Sequence, residues 1–536
     1  MTLYFNGDIL TMDGAEPEAV FVKDGRIAGT GSLQELRERC KGQAREFDLR
    51  GRTLMPSFID THSHITMAAQ VSAYADLGEC CSFQDIQDVL CRYKEEHAQS
   101  CQRLIVGFGY DHNVLEEQRH PDKYILDLVS EEIPVFIIHA SAHMGVCNSK
   151  ALEAAGITDG FPDPEGGRFG RVSGTAEPNG YAEEAAMMQM QFSFGELLQA
   201  DSAAAMEQTQ QMYLRYGVTT VQDGASSAQT IAGLRALASA GGLKLDVVAY
   251  PVMAPGEMAE GMPNTAEDVG YDNHFRIGGY KLILDGSPQG KSAWLSAPYE
   301  GEESYCGYPW MEDEAVFSCC MRAVREGQQL LAHCNGDAAS EQYLNCYERA
   351  LQECSGQEAL QEEKLRPVMI HCQTVREDQL ERMAQLSMIA SFFVGHVYYW
   401  GDVHLKNLGG RRGNKISPAA TAKELGICFT FHQDTPVTKP DMLHSVWCAV
   451  NRRTRKGIKI GEEEGISVYD ALRAVTIDAA YQYHEENNKG TLTPGKLADM
   501  IVLNHNPLKV PPDELREIQV DMTIKEGEVV YQRQQP

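Results

Sequence analysis

The stretch LMPSFIDTHSH, residues 54–64, decides the fold that we predict for this chain. It begins as a short apolar strand and places His62 and His64 just beyond the strand's end. Similar apolar runs elsewhere contain or end in single polar residues, namely Lys281, His333, His371 and Asp434. Short buried strands that each deliver a polar residue at their C-terminal end build the active site of a (β/α)8 barrel. We therefore predict an α/β fold with a TIM-like (β/α)8 barrel.

Eight segments have the composition of barrel strands. They are residues 54–60, 217–223, 245–252, 280–286, 328–334, 366–372, 388–395 and 426–434. Stretches rich in Ala, Leu, Glu and Arg, which favour helices, lie between most of them. Strands that alternate with helices in this way indicate a parallel sheet.

The two ends of the chain look different from its middle, because both are rich in short β segments. Asp24-Gly25 and Glu526-Gly527 each separate two apolar runs, which is the pattern of a tight hairpin. We expect residues 1–53 and 488–536 to form one β-sandwich domain, although each end could instead merely add edge strands. The barrel then occupies 54–487, with residues 68–205 as an insertion after barrel strand 1, over the barrel mouth.

Composition narrows the class of partner. The 536 residues carry a formal net charge of −29, which argues against nucleic acid and anionic membranes as partners. The 15 cysteines are scattered without a CxxC motif, and neither a signal peptide nor an apolar stretch of membrane-spanning length is visible. We expect a soluble cytoplasmic protein with a small-molecule substrate and, as the commonest default, a homodimer.

The polar residues at the strand ends suit a metal site. His62 and His64 are two positions apart, so on a strand their imidazoles point to the same side and could hold one metal. A buried, hydrogen-bonded histidine pair is the plainer interpretation. His333 and His371 each follow an apolar run, where a lone histidine is often only a core residue, but both should border the same barrel mouth.

Lys281 lies inside an apolar strand, where burial disfavours its charged form. A neutral amine can react with carbon dioxide to give a negatively charged carbamate whose two oxygens could bridge two metals. The alternative is an ion pair with Asp285 on the same face, and the sequence leaves the two interpretations even.

Asp434 ends the last strand candidate. A carboxylate there could act as general base beside a metal-activated water, whereas the alternative is a helix N-cap before residues 435–443.

Taken together, these residues resemble the amidohydrolase superfamily of metal-dependent hydrolases. The sequence motifs are most similar to those of its amidohydrolase-3 branch, which contains N-substituted formamide deformylase and the YtcJ-like proteins. The segments that carry the resemblance are LMPSFIDTHSH, NSKALEAAGI, GVTTVQD, KLILDGSPQGKSAW, HCNGDAA, IHCQ, HQDTPV and GKLADMIVL. They run from about residue 50 to 505 and so cover nearly the whole chain.

The resemblance implies a binuclear centre. His62, His64 and Asp434 would bind one divalent metal, His333 and His371 a second, and N6-carboxylated Lys281 would bridge them. Two zinc ions are expected, and manganese, iron or cobalt would suit the same donors. A metal-activated hydroxide would attack a carbonyl carbon, with Asp434 as general base and then acid. The expected reaction is hydrolysis of a C–N bond in an exocyclic amide, an N-formyl amine or an N-acyl amine.

The chain departs from the branch in two places, DGSPQGKSAW and HQDTPV, and these changes put the substrate in doubt. His432 in the second segment is either a pocket residue or a hydrogen-bond partner. The candidates for substrate contact are Asp111, His143, His396, Trp400 and His432. Two other functions stay open: a mononuclear deaminase or lactonase on the same scaffold, and a non-catalytic small-molecule binder.

Overall fold

The structure, a computed structural model, describes residues 1–97, 101, 103–164, 166–195, 202–253, 270–355 and 364–534. The chain begins with strands β1 (Thr2–Phe5), β2 (Asp8–Ile9), β3 (Ala19–Lys23) and β4 (Arg26–Gly31), helix α1 (Leu33–Cys40), and strands β5 (Arg45–Asp48) and β6 (Thr53–Pro56). Strands β3 and β4 form the predicted hairpin. Asp24 and Gly25 turn it with φ values of 49° and 76°, the left-handed conformation that tight hairpin turns require.

The chain then enters the barrel through β7 (Phe58–Ile59) and α2 (Ile65–Val71) and leaves it for the insertion. The insertion contains β8 (Ala75–Asp76), α3 (Phe83–Glu96), β9 (Ile105–Tyr110), α4 (Lys123–Asp127), β10 (Val135–His139), β11 (Met144–Cys147), α5 (Ser149–Ala154), β12 (Gly167–Arg171), β13 (Pro178–Glu184) and α6 (Ala185–Ser193). Its strands form a six-stranded sheet in the order β12-β13-β11-β10-β9-β8. Val135 and Ile137 pack into one apolar cluster and Phe136 and Ile138 into another, so both faces of the sheet are covered.

The rest of the barrel follows as alternating strands and helices. Its elements are α7 (Ser202–Arg215), β14 (Val218–Ser226), α8 (Ala228–Ser239), β15 (Asp246–Pro251), β16 (Phe275–Ile277), β17 (Gly279–Ile283), α9 (Asp313–Arg325), β18 (Gln329–Cys334), α10 (Asp337–Cys354), β19 (Val368–His371), α11 (Glu377–Gln385), β20 (Ile389–Phe392), α12 (His396–Tyr399), α13 (Gly401–Gly413), α14 (Ala419–Glu424), β21 (Phe429–Phe431), α15 (Met442–Asn451), α16 (Val468–Ala474) and α17 (Ile477–Gln482). Over the described ranges, no helix combines the length and the apolar character that a membrane crossing needs.

The barrel strands pair in parallel in two arcs, β16-β15-β14-β7 and β17-β18-β19-β20-β21. Gly278 alone separates β16 from β17, and a parallel bridge joins Val252 to Lys281. At the other seam the Asp434 amide donates to the His62 carbonyl oxygen at 3.1 Å. All eight predicted strand segments contain a strand of this (β/α)8 barrel, so the predicted fold class is confirmed.

The C-terminal segment adds β22 (Met500–Leu503), β23 (Val520–Lys525) and β24 (Glu528–Gln532) to the sheet β2-β6-β22-β23-β24. The second N-terminal sheet has the order β4-β3-β1-β5. Side chains from both chain ends share one core, including Tyr4, Val20, Val502 and Ile524. The two ends therefore build one β-sandwich, as predicted.

The strand predicted at residues 54–60 is divided between the two domains. Strand β6 pairs antiparallel with β22 in the sandwich, whereas β7 pairs in parallel with β14 in the barrel. The change of partner is visible in the backbone, because the Ser57 amide donates to Asp499 while the Phe58 amide donates to Gly217. This one apolar run thus ties the sandwich to the first barrel strand and sets where His62 and His64 emerge.

Candidate metal centre

The six predicted metal-type side chains lie together: five lie at or just beyond the C-terminal ends of barrel strands, and Lys281 is the middle residue of β17. Asp434 Oδ1 is 3.4 Å from His62 Nε2 and 3.3 Å from His64 Nε2. Lys281 Nζ is 3.4 Å from the same His62 nitrogen. The ring centroids of His62 and His371 are 5.4 Å apart, and those of His371 and His333 are 4.4 Å apart.

His62, His64 and Asp434 form the first group of donors, and their ligand atoms all lie within 4.8 Å of one another. His62 Nδ1 is 2.6 Å from Gln222 Oε1, whereas Gln222 Nε2 donates to the Thr61 carbonyl at 2.9 Å. An amide oxygen accepts only, so the His62 proton belongs on Nδ1. The lone pair of Nε2 then faces Asp434, which is the arrangement that a metal ligand needs.

His333 and His371 form the second group. His333 Nδ1 is 3.2 Å from Asp285 Oδ1, which places its proton on that nitrogen and leaves Nε2 as the donor atom. His371 Nδ1 is 3.1 Å from His432 Nε2. In the described part of the chain, His371 Nε2 is a buried atom without a hydrogen-bond partner. Such orphaned atoms are rare in folded proteins, and a bound cation would satisfy this one.

Two of these donors stand on unusual backbone. His371 has φ 73° and Asp434 has φ 54°, in the left-handed region that side chains other than glycine seldom adopt. Strained residues of this kind cluster at functional sites, where the surrounding structure holds them. Asp434 is also not a helix N-cap, since α15 begins at Met442 after the capping side chain of Asp441.

Lys281 is buried and does not form the alternative ion pair with Asp285. The Asp285 oxygens instead accept the backbone N–H groups of Trp294 at 3.0 Å and Gly336 at 2.7 Å, besides contacting His333. Burial lowers the pKa of the Lys281 amine to about 7, although Asp434 acts in the opposite direction. A substantial share of Lys281 is therefore neutral near pH 7.

The charge states suit divalent metal ions. Burial lowers the pKa of His62, His333 and His371, which keeps these imidazoles neutral. Burial by itself would raise the pKa of Asp434, but His64 and His62 lower it more, so the carboxylate stays ionised. Neutral imidazoles with an ionised carboxylate are the usual donors to zinc and similar metals, and the residues present therefore fit such a centre.

A cavity of about 670 Å³ lies next to the segment that follows Asp434, although none of the six metal-type side chains lines it. Its wall includes Thr435 and Pro436, which directly follow Asp434, and two of the predicted substrate contacts, Asp111 and Trp400. Trp400 Nε1 donates to Asp111 Oδ2 at 2.9 Å. Other aromatic side chains of the wall are Tyr74, Phe108, Tyr398 and Tyr399.

The other three predicted substrate contacts do not line this cavity. His143 is partly exposed, and its ring centroid is 5.7 Å from that of His333. His396 is buried, with Nδ1 2.9 Å from His404 Nε2. His432 is fully buried, with its two ring nitrogens next to His371 and Ser391. The structure thus places His143 beside the metal-type ligands and the other two behind residues that face the site.

Sequence reasoning missed Gln222 and Glu184. Gln222 could have been noticed, because it lies near the end of the predicted strand segment 217–223. Glu184 carries no such signal, since it lies in the insertion, yet its Oε2 is 2.8 Å from His143 Nδ1. Burial lowers the pKa of His143, but the Glu184 carboxylate raises it more, so the net pKa lies above the ordinary value.

Comparison with known proteins agrees with this geometry. Residues 45–531 match the Amidohydro_3 model of the amidohydrolase family. The chain is 27% identical to an N-substituted formamide deformylase of Arthrobacter pascens, over 99% of this chain and 98% of that protein. It is 26% identical to the YtcJ protein of Bacillus subtilis (strain 168), over 99% of both chains. An uncharacterized metal-dependent hydrolase from Pyrococcus horikoshii OT3 superposes with a TM-score of 0.76 at 23% identity, covering 95% of this chain and 99% of that one, which shows the same fold.

Proposed function

Because this chain belongs to the amidohydrolase family and is a metal-dependent hydrolase of carbon–nitrogen bonds, we propose that it hydrolyses an exocyclic amide, an N-formyl amine or an N-acyl amine. The observation that carries this proposal is the convergence of His62, His64, His333, His371 and Asp434 around the buried amine of Lys281. The full-length similarity to an N-substituted formamide deformylase supports a formamide or a related amide as substrate.

The candidate ligands form two groups, one for each of two metal ions. His62, His64 and Asp434 would hold one ion, and His333 and His371 the other. Lys281, once N6-carboxylated, would bridge them, and its buried, partly neutral amine supports this modification. Zinc fits this set, as do manganese, iron and cobalt. Divalent metals held there would lower the pKa of a water molecule and polarise the carbonyl oxygen of the substrate.

Asp434 is the proposed proton carrier. Its carboxylate is ionised, so it can accept a proton from the attacking water and then deliver it to the leaving amine nitrogen. Expelling a protonated amine is easier than expelling an amide anion, so the same carboxylate serves both halves of the reaction. Asp434 Oδ1 lies 3.4 Å from His62 Nε2 and 3.3 Å from His64 Nε2, close enough for the three atoms to bind one ion.

His143 is the proposed contact to the substrate carbonyl. The Glu184 carboxylate raises the pKa of His143 and so favours its positively charged form, and the ring lies beside His333 at the edge of the centre. A cation there stabilises negative charge that develops on the carbonyl oxygen. Asp111 and Trp400 would contact the rest of the substrate from the cavity wall. To His396 and His432 we now assign positioning of Trp400 and His371 rather than direct contact.

The cavity wall indicates the kind of amine that is released. An aromatic part of the wall is formed by Tyr74, Phe108, Tyr398, Tyr399 and Trp400, beside charged side chains of both signs. Aromatic walls favour apolar groups by excluding water and by ring contacts. We therefore expect substrates with a bulky apolar substituent on the nitrogen, such as arylalkyl formamides and acetamides.

The test is a panel of N-formyl and N-acyl amines with the zinc-loaded protein, in which release of formate or acetate is measured. Turnover of an arylalkyl amide by the wild type, and its loss in D434N, would support the proposal. Ammonia release from amino-heterocycles in place of amide hydrolysis would favour a deaminase. Tight ligand binding without any product would favour the non-catalytic binder.

A further inference from the structure

Three exposed cationic side chains line the cavity next to the segment that follows Asp434. They are Lys439, Arg455 and Arg516. The chain has a formal net charge of −29, so acidic partners are abundant in it. Within the part of the chain that the structure describes, none of the three nevertheless forms an ion pair, whereas the neighbouring Arg453 pairs with Asp513 at 3.8 Å.

The two arginines lie over one continuous group of aromatic rings. The Arg455 guanidinium is 5.1 Å from the ring centroid of Tyr399 and 5.9 Å from that of Tyr398. The Arg516 guanidinium is 5.1 Å from the Trp447 centroid, which is itself 5.6 Å from the Tyr398 centroid. Contact with aromatic faces restricts a guanidinium group and leaves its N–H groups at the edge free to bind an anion.

His444 shows that both positive charges act on the same part of the cavity wall. Its ring centroid is 4.9 Å from that of Tyr398 and 5.3 Å from that of Tyr399. Burial lowers the pKa of His444 to about 4, and Arg516 and Arg455 act in the same direction. His444 is therefore neutral near pH 7, and the positive charge beside it comes from the two arginines.

We propose that the amine half of the substrate carries a carboxylate, which Arg455 and Arg516 bind at the rim of the cavity. This inference rests on the amide hydrolysis proposed above and narrows its substrate class. A guanidinium group matches a carboxylate with two parallel N–H donors. The aromatic rings beside the arginines contact an apolar side chain of the same molecule. The substrate class is thus an N-formyl or N-acyl amino acid with an aromatic or other large apolar side chain.

The position of the cavity connects this rim to the candidate metal ligands. Thr435 and Pro436 line the cavity directly after Asp434, and Ala68 lines it one helical turn after His64. The His64 amide donates to the Thr435 carbonyl oxygen at 2.8 Å, which joins the two segments. A substrate whose carboxylate lies at the rim can therefore extend its amide bond along these segments towards Asp434.

The acidic side chains of the cavity favour one orientation of such a substrate. Asp76, Glu79 and Asp111 all belong to the insertion, whereas the three cations belong to the barrel and the C-terminal segment. Asp441 lies on the barrel side, but burial raises its pKa, and its Oδ1 accepts the His444 amide N–H at 3.0 Å. The insertion therefore repels a carboxylate and the arginines attract it, which sets the direction in which the substrate binds.

Two compounds that differ by one carboxylate test the proposal. They are N-formyl-phenylalanine, used as both enantiomers, and N-formyl-2-phenylethylamine. The zinc-loaded full-length protein is assayed with each as wild type, R455Q, R516Q and K456Q. Lys456 is an exposed cation next to Arg455 that is not among the residues lining the cavity, so K456Q removes an equal charge and serves as the matched control.

We expect the wild type and K456Q to prefer one enantiomer of the carboxylate compound by about tenfold in kcat/KM, mainly through KM. R455Q and R516Q should lose most of that preference, and R455K, which keeps the charge, should retain part of it. The circular dichroism of these variants should match the wild type, because the substituted side chains are exposed. Equal kcat/KM for both compounds in the wild type, or the same loss in K456Q, would overturn the carboxylate site and leave amide hydrolysis intact.

Isothermal titration calorimetry separates this proposal from the proposed function. Absence of turnover with every amide would contradict the hydrolysis, but the carboxylate site would still predict a Kd about tenfold lower for N-formyl-phenylalanine than for N-formyl-2-phenylethylamine. R455Q should abolish that difference and K456Q should keep it. Equal Kd values in the wild type, or no measurable binding of either compound, would overturn the carboxylate site.

Discussion

The two ends of the barrel both bury charged side chains, but they pair them differently. At the C-terminal end, His371 Nε2 and Asp434 Oδ1 are buried atoms without hydrogen-bond partners among the described residues. At the N-terminal end, Asp246 at the start of β15 is held by Lys489, by Lys525 at 2.8 Å and by His274 at 2.7 Å. Buried histidine and aspartate side chains thus lack partners at the C-terminal end of the barrel and have them at the N-terminal end.

This difference shows how to separate a ligand site from a structural cluster. Asp246, His274 and Glu526 have the spacing of a metal site, as His62, His64 and Asp434 do. Two buried ammonium groups already neutralise Asp246, and Lys525 continues to Asp499 at 2.9 Å, so a cation would find no charge to balance there. Donor spacing is therefore insufficient evidence for a metal site, and an unsatisfied donor is the more informative observation.

The largest effect should come from removing the proposed proton acceptor at the C-terminal end of the barrel, Asp434. In D434N the amide can no longer accept a proton, and we expect kcat/KM to fall by about 10²–10⁴-fold or more. Circular dichroism should stay that of the wild type, because the side chain keeps its shape. Amide hydrolysis at more than a tenth of the wild-type rate would show that another group moves the proton.

The corresponding change at the N-terminal end should act on stability. D246A leaves Lys489 and Lys525 buried without one of their carboxylate partners, which costs about 3–5 kcal/mol when a buried pair is broken. Urea unfolding should show this loss, whereas the folded fraction should keep near wild-type kcat. If D246A kept the wild-type stability but had a reduced kcat, the N-terminal cluster would contribute to catalysis rather than to stability.

A smaller effect is expected where a neutral partner orients a ligand. Gln222 fixes the tautomer of His62, so Q222M should weaken binding of the first barrel metal by about 10–100-fold. Competition with a chelator of known affinity measures this change, and T219S, a change in the same strand away from His62, provides a matched control. Unaltered metal affinity in Q222M would assign Gln222 to packing, through its contact with Tyr483.

The sequence predicted the barrel donors better than their partners, for a physical reason. His62, His333, His371 and Asp434 each follow an apolar strand, and the carboxyl ends of barrel strands share one rim, so local pattern determines their location. Gln222 pairs with His62 across 160 residues, and Lys525 pairs with Asp246 across 279. Such pairs depend on strand register and domain packing, which no local pattern encodes.

The insertion illustrates the same limit. The sequence contains apolar runs, LIVGFGYD and VFIIHASAH, where β9 and β10 lie, and such runs can be recognised from local pattern. The order of the six strands cannot be recognised in this way, because β12 and β13 return to pair outside β11 rather than continuing past β8. The predictions of Asp111 and His143 as site residues rested on the family resemblance, and their partners Trp400 and Glu184 became visible only in three dimensions.

The smallest expected effect is a dependence on pH, which follows from the burial of Lys281 without a carboxylate partner at the C-terminal end of the barrel. Only the neutral amine reacts with carbon dioxide, and burial lowers the pKa of Lys281 to about 7. Below that pH the neutral fraction falls about tenfold per unit, and above it the fraction approaches one. Reactivation of metal-free protein by zinc and bicarbonate should therefore accelerate from pH 6 to pH 8 with a midpoint near 7.

The K281A variant should neither reactivate nor bind a second metal. Lys489 provides the contrast, because Asp246 and Glu485 raise its pKa despite its burial, and it should stay charged and unmodified throughout. Reactivation of the wild type that does not change across this range, with two metals bound in K281A, would contradict the bridging carbamate and leave the C-terminal end of the barrel as a site of two independently held ions.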